Sequence, residues 1–226
     1  MTDHDRLLDA ALVHAVFDGW SERTLAAARA DCGMTEAEAR AIFPRGAIDM
    51  ALAYHTRGDL GMVTALEAED LSAMRFRDRI AHAVRLRLEL ADKELVRRGL
   101  SLFALPQYAA DGAKALWNTA DLIWTTLGDT SRDINWYTKR ASLSAVYSST
   151  VLYWLGDMSE GNAATWAFLD RRIDNVMQFE KAKARLRDTR LAEAFRRGPG
   201  RILETIRAPG EGREDYPGRW HPEDGA

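Results

Sequence analysis

The residue types that most often do chemistry are present in this chain, but not in a working arrangement. His4, His14, His55, His82 and His221 stand far apart, and none belongs to a Glu-x-x-His pair of the kind that holds a di-iron centre in a helical bundle. Cys32, the single cysteine, has no base beside it; a buried free thiol is its plain reading, and no intramolecular disulfide can form. No glycine-rich phosphate loop occurs. Asp121 and Asp133 lie near tryptophans, but two carboxylates on neighbouring helices are ordinarily caps or ion-pair partners, here for Arg140 and Lys139. The expectation is a non-enzyme without metal or cofactor, whose chemistry is recognition.

Recognition chemistry concentrates between Asp111 and Glu180, which holds five of the seven tryptophans: Trp117, Trp124, Trp136, Trp154 and Trp166. Such rings bury much area while keeping one polar handle, so they gather in cores, pockets and interfaces. Trp136 adjoins Tyr137 among Asp133, Asn135, Lys139 and Arg140. Consecutive helical residues point about 100° apart, so one ring of the pair is expected to face outward. Exposed aromatics beside arginine suit a partner surface. A staple folded onto the preceding turn is the plain alternative.

The elements that must position these residues are helices. Leu116, Ala120, Ile123 and Leu127 recur at three- and four-residue steps, as do Leu169, Ile173, Val176 and Met177. Gly128 and Gly156, each followed by Asp, mark helix ends. The pattern predicts helices over Tyr108–Leu127, Arg132–Leu155 and Ala163–Arg187. Ala141, Ser144, Ala145 and Ser148 line one side of the middle helix, a seam that lets another helix, in a bundle or a dimer, approach closely.

Ahead of this body, Leu7, Leu8, Ala11, Leu12, Ala15 and Val16 form an amphipathic helix stopped by Gly19, and Ser21 opens a second. After the turn at Cys32-Gly33-Met34, Thr35-x-x-Glu38 is a capping box for a third helix, which Phe43-Pro44 ends; a fourth begins near Gly46. This is the outline of a helix-turn-helix, similar to the DNA-binding head of TetR regulators. Its charge is wrong for DNA. Residues 1–60 carry ten carboxylates against six arginines, and the would-be recognition helix offers Glu36 and Glu38 with one Arg40. Affinity for a duplex depends on neutralising phosphates, so the head is expected to keep the scaffold without binding nucleic acid.

From Leu60 to Leu105 the pattern stays helical, with Arg75, Arg77, Arg79, Arg85 and Arg87 as a solvated face neutralised by nearby Glu67, Glu69, Asp70, Asp78 and Glu89. Gly99 and Pro106 bracket a short apolar helix, Leu100–Leu105. Between Lys181 and Ala208 nine basic residues face three acidic ones, with scattered Leu191, Phe195, Ile202, Leu203 and Ile206 and a break at Gly198-Pro199-Gly200. A basic helix with a modest apolar stripe suits an anionic membrane surface, and a solvated helix against its own body is the alternative. The chain's net charge is −3, so no global field draws it to nucleic acid. The apolar run at Leu143–Leu155 is too short and too interrupted to span a bilayer. Met1-Thr2-Asp3-His4-Asp5 leads straight into a helix without signal or transit pattern.

Leu116-Trp117-Asn118, Ala120-Asp121-Leu122-Ile123-Trp124, Gly128-Asp129, Asp133-Ile134-Asn135-Trp136-Tyr137-Thr138-Lys139-Arg140 and Thr165-Trp166-Ala167-Phe168-Leu169-Asp170-Arg171-Arg172 together resemble the ubiquinone-biosynthesis accessory proteins, the ninth of the Coq proteins. The likeness is dense over about residues 105–180 and weaker toward the N-terminus. It implies an all-α, TetR-repressor-like fold of about nine to ten helices. The expected division is 1–60 a helix-turn-helix-like head, 61–182 a lipid-binding and dimerisation body, 183–208 a basic amphipathic helix and 209–226 a disordered tail. The resemblance implies a non-catalytic homodimer that binds an isoprenoid or phospholipid ligand. At an anionic membrane surface it presents polyprenyl quinones to a di-iron demethoxyubiquinone hydroxylase or its equivalent.

The pocket is expected from Trp117, Ile123, Leu127, Leu143, Val146, Tyr147, Val151 and Trp154, and membrane contact from Arg187, Arg190, Leu191, Phe195, Arg196 and Arg197. By the resemblance, the partner surface takes Asp121, Trp124, Asn135, Trp136, Tyr137 and Arg140, with Ile123 and Trp124 common to pocket and partner face. A eukaryotic member would need a mitochondrial presequence, so the expected location is the bacterial cytoplasm, peripherally at the inner membrane. The alternative function is a TetR-type ligand-responsive repressor.

Overall fold

The computed structural model describes residues 1–187 and 208–209. Among them are nine α-helices, one short 3-10 helix and no strand. The first three, α1 (Asp3–Asp18), α2 (Glu22–Asp31) and α3 (Glu36–Ile42), form the head. Each opens on a hydroxyl that takes an otherwise unpaired backbone N–H: Thr2, Ser21 and Thr35 accept from Asp5, Thr24 and Glu38. The capping box expected at Thr35 and Glu38 is present, and Thr2 with Asp5 makes a second. Leu7, Leu8, Ala11, Leu25, Ala28 and Phe43 fill the core between these helices, each fully buried leucine being worth roughly 1.5–3 kcal/mol. Trp20 closes it toward the body, donating from Nε1 to the Leu95 carbonyl at 3.1 Å.

The long α4 (Ala47–Ala68) carries the chain across position 60 without a break, placing Met50 and Ala51 in the head core and Met62 and Leu66 in that of the body. The body adds α5 (Phe76–Glu89), α6 (Lys93–Phe103), α7 (Ala109–Thr126), α8 (Ile134–Gly156) and α9 (Ala163–Arg187). Helix α6 begins well before the short segment expected at Leu100–Leu105, because Asp92 caps it by accepting from the Glu94 and Leu95 amides. Gly99 lies buried inside it rather than at its edge. Helix α9 continues through position 183 to Arg187, while Gly198-Pro199-Gly200 and all but the first residue of the tail expected over 209–226 lie outside the described residues.

One member of the arginine series departs from the expected solvated face. Arg87 is 3% exposed and donates from Nε to Asp59 Oδ1 at 2.6 Å and from Nη2 to the His55 carbonyl at 2.9 Å. Thr119 Oγ1 donates to the same carboxylate, and His55 Nε2 lies 2.8 Å from Thr119 Oγ1. This pins α4 to α5 and α7. The charged pair survives burial because its hydrogen-bonding groups are matched to one another. Of the remaining arginines, Arg75 pairs with Asp78, Arg85 with Glu89, and Arg77 with Asp174 across to α9, while half-buried Arg79 donates to the Met74 carbonyl at 3.0 Å instead of to a carboxylate.

Candidate functional site

The site begins at the end of α7. Gly128 adopts φ +83°, the left-handed conformation glycine reaches at least cost, and the chain closes a Schellman turn in which Asp129 N–H donates to the Trp124 carbonyl at 2.9 Å and Gly128 N–H to Thr125 at 3.0 Å. That turn delivers the Asp129 carboxylate beneath the first two turns of α8. Its side chain is 2% exposed and accepts from Lys139 Nζ at 2.7 Å, Ser131 Oγ at 2.8 Å and Arg140 Nη1 at 3.1 Å. Burial alone would push this carboxyl up, but the Lys139, Ser131 and Arg140 hydrogen bonds outweigh it and hold it below the usual carboxylate range. Arg140, itself buried, also donates from Nε to Asp121 at 2.5 Å. Asp133 caps α8 by accepting from the Asn135 amide. Asp121 and Asp133 thus take the pairing and capping roles expected of them, with Asp121 on Arg140 and Asp129 taking Lys139.

Above this charge cluster sits an aromatic group. The Arg140 guanidinium lies 4.0 Å from the Trp136 ring centroid. Trp136 meets Tyr137 edge-on at 4.8 Å, and Trp117 of α7 meets both rings, at 5.8 and 6.3 Å. All three are half-buried. The rings of Trp136 and Tyr137 therefore do not divide between core and solvent; both join one surface cluster, with Trp117 of the neighbouring helix packed against the pair.

A cavity of about 280 Å³ opens beside the cluster. Phe76 and Ile80 of α5, Trp124 of α7, Ile173 and Val176 of α9 and Leu143 and Val146 of α8 make its apolar walls; Asn135, Thr138, Lys139 and Ser142 make a polar one. Steps of three and four explain each wall: 76 and 80, 173 and 176, 135 with 138 and 142. Trp124 is fixed there by donating Nε1 to the Lys139 carbonyl at 3.1 Å, with the Lys139 ammonium 5.1 Å from the ring centroid.

Of the residues expected in the pocket, Leu143 and Val146 line this cavity. Ile123, Tyr147, Val151 and Trp154 lie in the filled core, where burial raises the Tyr147 hydroxyl to about 12; Leu127 is partly buried against that core, and Trp117 stands in the surface cluster. Of those expected at the partner surface, Asp121, Trp136, Tyr137 and Arg140 come together, while Trp124 and Asn135 turn to the cavity. Arg187 is the last residue of α9, and Arg190, Leu191, Phe195, Arg196 and Arg197 lie outside the described residues. Sequence reasoning missed Phe76, Ile80, Ile173 and Val176 as walls, Thr138 and Ser142 as polar rim and Asp129 as organiser; Gly128-Asp129 had been visible as a helix end.

In the head, the Arg40 guanidinium pairs with Glu22. Among the described residues no group of three His, Cys, Asp or Glu side chains could hold a metal ion, and no helix is long and apolar enough to cross a membrane.

The COQ9 family model matches residues 109–180, the span that builds the cluster and much of the cavity. Three similar proteins are each named as a mitochondrial ubiquinone biosynthesis protein COQ9. The rat protein is 31% identical over 193 residues, covering 81% of this chain and 62% of that one. The human protein is 30% identical over 193 residues, covering 81% and 60%. The Drosophila melanogaster protein is 30% identical over 181 residues, covering 77% and 55%. The chain thus spans about three fifths of the length of these relatives. Among solved structures, a TetR transcriptional regulator from Nitrosomonas europaea ATCC 19718 superposes with a TM-score of 0.61 at 18% identity, covering 76% of this chain and 95% of that one. At that identity the likeness shows the fold alone. The family and the TetR-like, all-α fold expected from the sequence are those the comparisons find. The expected bacterial cytoplasmic location is corrected: the relatives are named as mitochondrial proteins, which conflicts with it.

Proposed function

With the COQ9 family match and the TetR-like fold as premise, we propose that this chain is a non-catalytic lipid-binding accessory protein of ubiquinone biosynthesis. It takes a polyprenyl quinone intermediate from an anionic membrane surface and presents it to a demethoxyubiquinone hydroxylase. The observation that carries this reading is the sharing of α8's first turns between a largely apolar cavity and a half-exposed aromatic cluster resting on the buried Arg140 guanidinium. A tail insoluble in water gains roughly 0.8 kcal/mol for each methylene it buries, and rings flanked by arginine are the residues that most often anchor a protein partner. The protein supplies binding and docking, and the hydroxylase supplies the reaction.

A second copy of the chain is the other partner. Helix α8 leaves Ala141, Ala145, Leu152 and Tyr153 exposed, and Tyr153 stacks on Phe168 of α9 at 4.5 Å, an apolar face suited to a homodimer. Mass spectrometry of organic extracts from the purified full chain tests the lipid reading. A polyprenyl quinone or its precursor is expected, and an extract without lipid would sink it.

The fold likeness to a TetR regulator favours a second reading, a ligand-responsive repressor. The acidic head and the engagement of Arg40 by Glu22 weigh against it. Tight, sequence-selective retardation of duplex DNA at physiological salt would reverse that judgement.

A further inference from the structure

The cavity is not uniformly apolar, and the distribution of its polar groups says what kind of head it takes. Apart from the Trp124 indole N–H, which is spent on the Lys139 carbonyl, its hydrogen-bonding side chains come from α8, at Asn135, Thr138, Lys139 and Ser142, next to the Trp136 and Tyr137 cluster. The floor and opposite wall are Phe76, Ile80, Trp124, Leu143, Val146, Ile173 and Val176. An amphiphile bound there has its polar end set by α8 and its hydrocarbon against α5 and α9.

The rim carries no net charge to offer a ligand. The Lys139 ammonium is held by Asp129 at 2.7 Å and Ser131 at 2.6 Å, and Arg140 is held by Asp129 and Asp121. Asp133, as the cap, offsets the positive end of the α8 helix where an anion would otherwise settle. A phosphate placed at this rim would lose its hydration without gaining a free cation. Ser142 is different. Its hydroxyl has no hydrogen-bond partner among the described residues, although the side chain is half-buried and lines the cavity. Thr138 Oγ1 spends its proton on the Asn135 carbonyl at 3.3 Å, a long bond that a better acceptor displaces.

We infer that Ser142 and Thr138 form a head-group subsite for an uncharged oxygenated ring, so that a quinone enters tail-inward toward α5 and α9, with its ring held at the face carrying Trp136 and Tyr137. The inference rests on the proposed lipid-binding function and adds to it an orientation, two donor residues and a discrimination against anionic lipid. A cavity of about 280 Å³ lies at the small end of ligand pockets, sized for a ring and the first part of a tail.

Equilibrium binding to the purified full chain tests this with three probes: a ubiquinone carrying two isoprene units, the matching isoprenoid hydrocarbon without a ring, and a short-chain phosphatidylglycerol. The quinone is expected to bind at least about tenfold more tightly than either of the others, one well-made pair of hydrogen bonds being worth about that factor. The double variant Ser142→Ala/Thr138→Val is expected to lose about that factor for the quinone and to leave the hydrocarbon unchanged; should it fold poorly, Ser142→Ala alone carries the test. Equal binding of all three probes, tightest binding of the phospholipid, or a variant indistinguishable from the parent chain would overturn the subsite while leaving a lipid cavity in place. If none of the probes binds the parent chain, the lipid-binding reading itself falls.

Discussion

Arg140 lies beneath Trp136, its guanidinium carbon 4.0 Å from the ring centroid, while its Nη1 donates to the Trp136 carbonyl one turn back at 3.2 Å. The cation therefore fixes both the backbone and the ring of the same residue, and a half-exposed indole is held in one orientation before any partner arrives. Preorganised aromatics bind with less loss of side-chain entropy.

If this cluster docks a hydroxylase, Trp136→Ser together with Tyr137→Ser will abolish capture of that enzyme from a mixture of the two purified proteins. Anchors of this type cost at least about 2 kcal/mol when truncated, a loss of roughly thirtyfold or more in affinity. Circular dichroism and gel filtration of the variant should match the parent chain, since both rings are only half-buried. Undiminished capture by a correctly folded variant would remove the docking surface from this face.

Asp129 supports the cluster from below, and its replacement is predicted to act at a distance. Asp129→Ala leaves buried Arg140 with Asp121 and strips Lys139 of its carboxylate. Breaking a buried ion pair on one side costs about 3 kcal/mol, and the fold should lose several degrees of thermal midpoint. Acid gives the companion result. Because the folded-state carboxyl is held below its ordinary value of 3.8, its contribution is present above that pH and lost as pH falls through the lower folded value. Thermal midpoints measured from pH 5 downward should fall less steeply in Asp129→Asn than in the parent. Parallel slopes would show that the carboxylate carries none of the acid sensitivity.

The elements were legible because they depend on neighbours in sequence. Gly128-Asp129 at a helix end, the capping box at Thr35 and Glu38 and the periodic stripes of α7 and α9 are local signals, and each appears in the structure within a residue or two. The cavity was not legible, because it is a space enclosed between α5, α8 and α9, whose residues lie far apart in the chain. Periodicity shows that Ile80, Leu143 and Ile173 turn inward, but not that a gap remains between them. Trp124 illustrates the limit: its spacing suits pocket and partner face equally, and only the bond from its Nε1 to the Lys139 carbonyl settles it at the cavity. Arg87 was hidden for a similar reason, since one arginine in a series looks like the others until Asp59 is found across from it.

Gly58 marks how closely α4 and α5 approach. A Cβ built there would lie 2.6 Å from the Arg87 guanidinium carbon, in the middle of the buried pair with Asp59. In an exposed helix the same change would stabilise by roughly 0.5–1 kcal/mol. Here Gly58→Ala is predicted to destabilise, because Arg87 must leave Asp59 or the two helices must part. Chemical denaturation will decide the sign: a lower midpoint at unchanged slope is expected, and a raised midpoint would mean that Arg87 finds another route to its partner.

His55 gives the same junction a dependence on pH. Burial is the largest influence and lowers its affinity for a proton; Asp59 pulls in the opposite direction, and Arg87 adds to the lowering. The folded value therefore lies below the ordinary 6.5, and the unfolded chain binds the proton more readily. Stability contributed by this group is full above pH 6.5 and declines as pH falls through that value toward the lower folded one. The Thr119 hydroxyl at 2.8 Å and the carboxylate at 3.5 Å stay matched to a neutral ring throughout the upper range. Denaturation at pH 7.5 and pH 5.5 should show a loss of stability on acidification that His55→Gln reduces, and the His55 ring protons in an NMR titration should move only below pH 6.5. A ring that titrates above that value would mean Asp59 outweighs burial, and acidification would then tighten the junction between α4, α5 and α7 instead of loosening it.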